Sequence, residues 1–414
     1  MKAKHKRNRN RYKSLKLLIC LSIVIVTVYS VAYNVYALNE DTTNSDVMDY
    51  ENDILNQQSK STELKNIQDQ LEKYTLDDTK NILEGYDPQN IIKDAAVGKF
   101  EFSLKGVANN VLGFLFKEIL QNISILTKLI VLIILCALLK NLQTSFLSES
   151  VGEVAFYACY VVIVSILIVS FGTAMNMAIG IIDNMVNFMY ATVPVMITLL
   201  VSGGNITSSG IFQPIMLMVV EISATVIKNA FIPLIFLSTI LSIVNNISDK
   251  IHITRLANLI KQITGWALGT ILTVFIGVIS LQGSLGAVVD GVTSKAAKFA
   301  ISTFIPVVGK TLSDAADTVI GCALLIKNAA GLAVMVGIIV ICMVPLLKIL
   351  ALIILYKSAC ALLEPISEKR ITDCISDVAG SMIYIFGVTA SVAFMFLISI
   401  TALISAGNLS AMIR

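Results

Sequence analysis

Histidine is scarce in this 414-residue chain, which contains only two. His5 lies in a basic N-terminal run and His252 lies between apolar segments, so neither a histidine metal site nor a Ser-His-Asp triad is available. The tripeptide Gly-Lys-Thr at 309–311 is typical of the end of a phosphate-binding loop, but Phe304 occupies the position of the required first glycine. We therefore expect no catalytic site, no cofactor and no bound metal.

The chain also lacks the cysteine spacing of a disulfide framework or a zinc site. Six of its seven cysteines fall mainly in apolar runs without paired spacing, and residues 38–105 contain none. We expect these six to be ordinary core residues, since a thiol packs as a small apolar group. They are Cys136, Cys159, Cys322, Cys342, Cys360 and Cys374.

Charged residues are also scarce, and their scarcity indicates the class of protein. Only 14% of the residues are charged while 56% are hydrophobic, and the mean hydropathy is +0.80. Residues 106–414 carry only 29 of the 59 charged residues, although they form three quarters of the chain. Long continuous apolar runs in this region favour spanning helices, because strands of a membrane barrel alternate in polarity. The sequence predicts an all-α, polytopic helical membrane protein.

Residues 1–37 have the pattern of a secretory signal peptide. Eight basic residues precede an apolar run from Leu17 to Val28, and Val35-Tyr36-Ala37 offers a cleavage site. Without the eight basic residues the net charge falls from +3 to −5. The alternative is a first spanning helix that is never cleaved.

Residues 38–105 are predicted to form an acidic extracytoplasmic segment with a net charge of −8, which excludes a basic nucleic-acid footprint. Leu64, Ile67, Leu71 and Tyr74 recur at helical spacing and predict a short amphipathic helix. The segment is too small for a sizeable core. It either docks on a partner or is a solvated lead-in to the transmembrane domain, residues 106–414.

About eight spans are predicted after the signal peptide. The positive-inside rule places Lys140, Lys250 and Lys357 in the cytoplasm. Residues 289–330 then form an outside loop, which is apolar enough to touch or re-enter the bilayer. The predicted spans are 123–139, 154–176, 185–201, 211–227, 230–247, 266–288, 331–354 and 380–404.

Charges and prolines within the apolar segments are the candidate functional residues. Glu221 lies near the middle of a predicted span, where it is either bonded inside the bundle, lines a polar path or pairs with a lysine. Lys348 lies in a later span and is the second candidate. Prolines remove a backbone donor and kink helices, and glycines allow close helix packing. The candidate kink residues are Pro194, Pro214, Pro233, Pro306 and Pro345, and the small faces are Gly265, Gly269, Gly283 and Gly286.

Several long motifs resemble one known family. They are LSIV and ISDK within 241–250, LTVFIGVISLQG at 272–283, FIPVVGKTLSDAADTVI at 304–320, and GNLSAMIR at 407–414. In this order and without gaps, they resemble the stage III sporulation protein AE family of endospore-forming bacteria. The likeness covers about residues 100–414, and none of the motifs is catalytic.

The resemblance implies a role in sporulation. It implies a membrane subunit, without enzyme activity, of the channel or feeding tube that links mother cell and forespore and supports late forespore gene expression. The implied partners are the other stage III A-operon proteins, including the AA ATPase and the AG ring, and the forespore stage II protein Q. The implied location is the multi-pass mother-cell membrane that engulfs the forespore. The helix pattern alone also allows a permease that moves a small solute or ion through a proline-kinked bundle.

The signal peptide gives a direct prediction. We expect cleavage after Ala37, so N-terminal sequencing of the membrane-extracted protein should begin at Leu38. Recovery of the intact N-terminus from Met1 would contradict cleavage and would add a ninth span.

Overall fold

The computed structural model describes residues 62–75, 79, 82–83, 86–88, 90–96, 104–145, 149–247, 253–304 and 309–413. The predicted signal peptide at residues 1–37, residues 38–61 and Pro306 lie outside the described residues. Among those described there is no strand. The helices are α1 Thr62–Tyr74, α2 Ile91–Ala96, α3 Leu104–Gln121, α4 Ile123–Ser145, α5 Glu149–Ser202, α6 Ile206–Val226, a π-helical segment Ile227–Phe231, α7 Ile232–Ile247, α8 Thr254–Phe304, α9 Gly309–Leu363 and α10 Lys369–Ile413.

The all-α membrane fold is confirmed, but the count of eight spans is not. Within the described ranges, five helical stretches are long and apolar enough to cross a membrane, or six if the bent pair 106–121 and 123–139 is one span. Two pairs of predicted spans merge. Segments 154–176 and 185–201 both lie in α5, and segments 211–227 and 230–247 lie in the continuous stretch from α6 to α7. Polar residues between the predicted spans, such as Asn184, are compatible with helix and do not end it.

The predicted outside loop at 289–330 is also helical. Residues 289–304 complete α8, and residues 309–330 begin α9. An ion pair joins the two helices near their connection, with Lys298 Nζ 2.5 Å from Asp317 Oδ1. The segment is therefore helical rather than a loop, whereas its position outside the cytoplasm and its contact with the bilayer stay predictions.

α5 and α6 run antiparallel, and both contribute to the main buried core. Tyr190 of α5 contacts Glu221 of α6, and Asp183 of α5 contacts Lys228 two turns further along. The same residue pairing therefore continues away from the tight turn that joins the two helices. That turn contains Gly204 at φ 79°, a left-handed conformation that glycine adopts without a Cβ clash. α9 and α10 lie at the centre of the bundle, and their side chains supply much of the buried core.

The prolines lie inside continuous helices or beside an altered turn. α5, α6 and α9 continue through Pro194, Pro214 and Pro345 respectively. Pro233 is the second residue of α7 and lies two residues after the end of the π-helical segment, whose wide turn carries a bond from Ile232 N–H to Ile227 O. The described bend above 40° at a helix break falls at Asn122, between α3 and α4, where no proline stands.

The amphipathic helix predicted at 64–74 is confirmed as α1, and it docks on the chain's own long helices. Leu64, Ile67 and Leu71 are 0–2% exposed. The Tyr74 ring meets Phe188 of α5 edge to face at 6.0 Å. Burial raises the pKa of the neighbouring Tyr86 above its ordinary value, so this hydroxyl stays protonated at neutral pH.

A close approach at Gly337 of α9 holds α1 in place. A Cβ atom at this position would collide with the Leu71 side chain and would lie 2.8 Å from Phe188 Cζ. Glycine therefore leaves the space that the apolar face of α1 fills. The exposed face of α1 carries Lys65, Asp69 and Lys73.

We predict that Gly337→Leu displaces α1, because overpacking of a filled site costs about 1–3 kcal/mol. Trypsin should then cleave at Lys65 and Lys73 faster than in the unmodified protein in native membranes. Gly387→Leu is the matched control, because nothing lies within 4 Å of a Cβ at Gly387 of α10. Equal cleavage of the two variants would contradict the docking.

Candidate functional site

Glu221, the leading candidate from the sequence, lies on the exposed face of α6. Its Oε2 accepts a hydrogen bond of 2.7 Å from the Tyr190 hydroxyl of α5. Its Oε1 accepts a bond of 3.3 Å from Thr225, one turn further along α6. The carboxylate is therefore bonded at the surface of the bundle and not within its core.

An ion pair lies two turns away on the same two helices. Lys228 Nζ is 2.6 Å and 2.7 Å from the two carboxylate oxygens of Asp183, and both side chains are partly exposed. Glu221, Thr225 and Lys228 follow at positions i, i+4 and i+7, so one face of the helix carries all three. We call Asp183, Tyr190, Glu221, Thr225 and Lys228 the α5–α6 polar group.

Lys348, the second candidate, belongs to a different part of the bundle. Its Nζ lies 3.7 Å from Glu118 Oε1 of α3, and the Glu118 side chain is only 8% exposed. This contact joins α3 to α9 just before the bend at Asn122. In the structure the acidic partner of Lys348 is thus Glu118, whereas Glu221 is bonded to Tyr190 and Thr225.

Sequence reasoning missed Asp290, which the structure places at the start of α6. Its two carboxylate oxygens accept bonds of 2.8 Å each from the backbone N–H groups of Thr207 and Ser208. The first N–H groups of a helix have no partner within the helix, and a negative charge there is favourable. Asp290 is 3% exposed, so it caps α6 from α8 across 83 residues of sequence.

Glycine and glutamine complete the contact between α8 and the first turns of α6. A Cβ at Gly286 would lie 2.6 Å from Ser208 Oγ and 3.1 Å from Ser208 Cα, so only glycine allows this approach. Gln282 donates from Nε2 to the Ile211 carbonyl at 3.0 Å. The predicted close packing is therefore present at Gly286, whereas Gly265 and Gly269 have nothing within 4 Å.

A second residue that sequence reasoning misplaced is Lys327, which was assigned to the outside loop. It is fully buried, and its Nζ donates to the Ile404 carbonyl of α10 at 2.8 Å. Lys327 Nζ also lies against Gly407, and any side chain at position 407 would displace it. The available signal was its surroundings, since Lys327 lies among alanine, leucine and isoleucine residues rather than in a polar loop.

These contacts describe polar anchoring and a charged outer face. Within the described parts of the chain, no three His, Cys, Asp or Glu side chains are grouped to hold a metal ion. The fold and its intramembrane charges define the class, which is a helical, polytopic membrane protein.

The chain belongs to the stage III sporulation protein AE family, whose model matches residues 86–407. The chain is 40% identical over 317 residues to "Stage III sporulation protein AE" of Bacillus subtilis (strain 168). This alignment covers 77% of the present chain and 79% of the relative. No solved structure matches the chain. The predicted family, sporulation role and membrane association are confirmed.

The capping role of Asp290 can be tested directly. Asp290→Leu leaves two buried N–H groups without acceptors, so we expect a loss of about 1–3 kcal/mol per orphaned group. Asp290→Asn retains one oxygen acceptor and should lose less. Thermal unfolding of the detergent-solubilised protein measures both, with Asp314→Leu as the exposed control on α9. A control that unfolds as early as Asp290→Leu would contradict the assignment.

Proposed function

We propose that this protein is a non-enzymatic membrane subunit of the channel that links the mother cell to the forespore and supports late forespore gene expression. Membership of a family named for sporulation supports the setting. The observation that carries a transport role is the α5–α6 polar group. A lipid-facing helix gains nothing from an exposed carboxylate and an exposed ion pair, and intramembrane charges commonly mark substrate paths.

The proposed location is the multi-pass mother-cell membrane around the forespore. The proposed partners are the other stage III A-operon proteins, including the AA ATPase and the AG ring, together with stage II protein Q on the forespore side. The docking of α1 on the long helices supports this arrangement, because it presents the charged face of α1 outward beside the bundle. A partner could bind at that face without entering lipid.

A permease is the second candidate. The same polar group favours it, since Asp183, Glu221 and Lys228 provide charges of both signs on one face. Flux of labelled ions or small solutes into liposomes that contain the purified chain discriminates between the two functions. An assembly subunit conducts nothing alone, whereas a permease does.

Glu221→Gln tests the functional role of the carboxylate. Glutamine keeps the shape and can still accept a bond from Tyr190, but it cannot ionise. Holding a charge at the centre of a spanning helix costs about 2.5–3.5 kcal/mol on insertion scales, so its removal should not impair insertion. We expect normal protein levels in the membrane and late forespore gene expression well below that of the parent strain.

Glu364→Gln provides the matched control, because Glu364 is exposed in the turn between α9 and α10. It makes the same chemical change away from the α5–α6 polar group and should leave forespore expression unchanged. Normal expression in the Glu221→Gln strain, at normal protein level, would remove Glu221 from the functional residues.

A further inference from the structure

The outer face of α5 changes character along its length. Its first exposed positions are mostly aliphatic, and the large ones are Val154, Val161, Val162, Ile168 and Val169. From residue 173 onward the same helical face carries polar or small residues, with Val201 as its one exposed large aliphatic residue. These exposed positions, which we call the α5 polar stripe, are Thr173, Asn176, Gly180, Asn184, Asn187, Tyr190, Thr198 and Ser202.

α6 adds polar residues beside this stripe. Gln213, Glu221, Thr225 and Asn229 are exposed on α6 and on the π-helical segment that continues it, and the apolar Met218 and Ile222 are exposed on α6 as well. The Tyr190–Glu221 bond and the Asp183–Lys228 ion pair join the two helices across the face. The stripe runs for 30 residues, or about 45 Å at 1.5 Å per residue, which exceeds the thickness of a bilayer core of about 30 Å.

At the same height, α8 presents an apolar outer face. Contacts fix the antiparallel register of α8 with α6 and α7, because Gln282 bonds the Ile211 carbonyl and Ser238 bonds the Ala257 carbonyl. Interpolating between these contacts places Val274 level with Glu221.

The exposed residues of α8 in this region match a lipid environment. Trp266 is 75% exposed, Val274 60% and Leu281 66%. Between residues 263 and 292, the exposed positions of α8 carry no charged or amide side chain. At the same level of the bundle, the outer face of α8 is therefore apolar whereas that of α5 is polar.

α1 gives an independent indication of water on the polar side. It packs at the level of Phe188, within the span of the α5 polar stripe, with its charged residues Lys65, Asp69 and Lys73 outward. An amphipathic helix with this many exposed charges is stable only where those charges remain hydrated.

We propose that the α5 polar stripe and the exposed face of α6 form one wall of a water-filled path, while α8 faces lipid at the same height. The occupant of the path is water with hydrated ions or small polar solutes. This inference rests on the proposed transport role and assigns that role to one face. Asparagine amides and a paired carboxylate are hydrated along such a wall, whereas lipid would leave the amides without partners.

Water access can be measured with single cysteines. In the full-length chain with its seven native cysteines replaced, Asn184→Cys and Asn187→Cys report on the polar stripe. Trp266→Cys, level with Asn184, and Val274→Cys, about one turn from the level of Asn187, are the comparison positions on α8. Sonicated membranes from sporulating cells are treated with a charged, membrane-impermeant methanethiosulfonate, and the remaining thiols are counted with a maleimide of high mass.

We expect the stripe cysteines to react at least about tenfold faster than the α8 cysteines, because a thiol reacts as the thiolate and each unit of pKa changes the thiolate fraction tenfold. Slow reaction at all four positions would overturn the water-filled path. Fast reaction at all four would also overturn it, because this level would then lie wholly outside lipid.

The labelling experiment and the gene-expression experiment test the two proposals separately. Reaction of the thiols reports only on the surroundings of each residue, whereas late forespore gene expression in the Glu221→Gln strain reports on the channel role. Fast labelling of Asn184→Cys with unaffected gene expression in the Glu221→Gln strain would preserve the wall and remove the proposed role of the carboxylate.

Discussion

Polar groups that enter an apolar helix bundle must be bonded within the protein, because hydrocarbon provides no partners. The requirement is met at the start of α6 and at the contact between α9 and α10. Asp290 supplies acceptors for the start of α6, and the Ile404 carbonyl accepts the Lys327 ammonium. Both contacts join residues far apart in sequence, so the bundle's connectivity depends on them as much as on apolar packing. A helix end without such a partner would be costly in this environment.

The same requirement separates two kinds of polar residue in the chain. Asp290 and Lys327 are buried, are bonded to backbone groups and fix helix positions. Exposed groups such as Glu221 and Asp183 are bonded to Tyr190 and Lys228 respectively on the outside of α5 and α6, where a lipid-facing surface would have aliphatic side chains. The presence of a charge in an apolar run therefore does not reveal its role. Its position relative to the bundle does, because a buried charge anchors the fold whereas an exposed one faces the surroundings of the bundle.

Much of the fold could be predicted from composition and periodicity, because membrane insertion demands long apolar helices. The helix at 62–74 was also predictable from the spacing of Leu64, Ile67 and Leu71. The span boundaries could not be predicted in this way. Asn184 and Gly180 are possible helix breaks in the sequence, but both lie within one helix in the structure. Asp290 was missed for another reason: its partners are backbone N–H groups brought close only by tertiary packing, which leaves no local pattern. The partner of Lys327 is also set by tertiary packing, although the apolar neighbours of Lys327 in the sequence mark it as buried.

The π-helical segment before Pro233 has a mechanical consequence. Its wide turn accommodates one more residue than an α-helical turn, and Pro233 supplies no N–H to the carbonyls before it. If the wide turn migrates by one residue, the residue that it passes rotates by about 100°, the angle of one residue in a 3.6-residue turn, while the helices on both sides keep their relative orientation. The hydrogen-bond number changes little in such a step. Lys228 lies within this segment, so such a step turns its side chain relative to Asp183 while α6 and α7 stay packed.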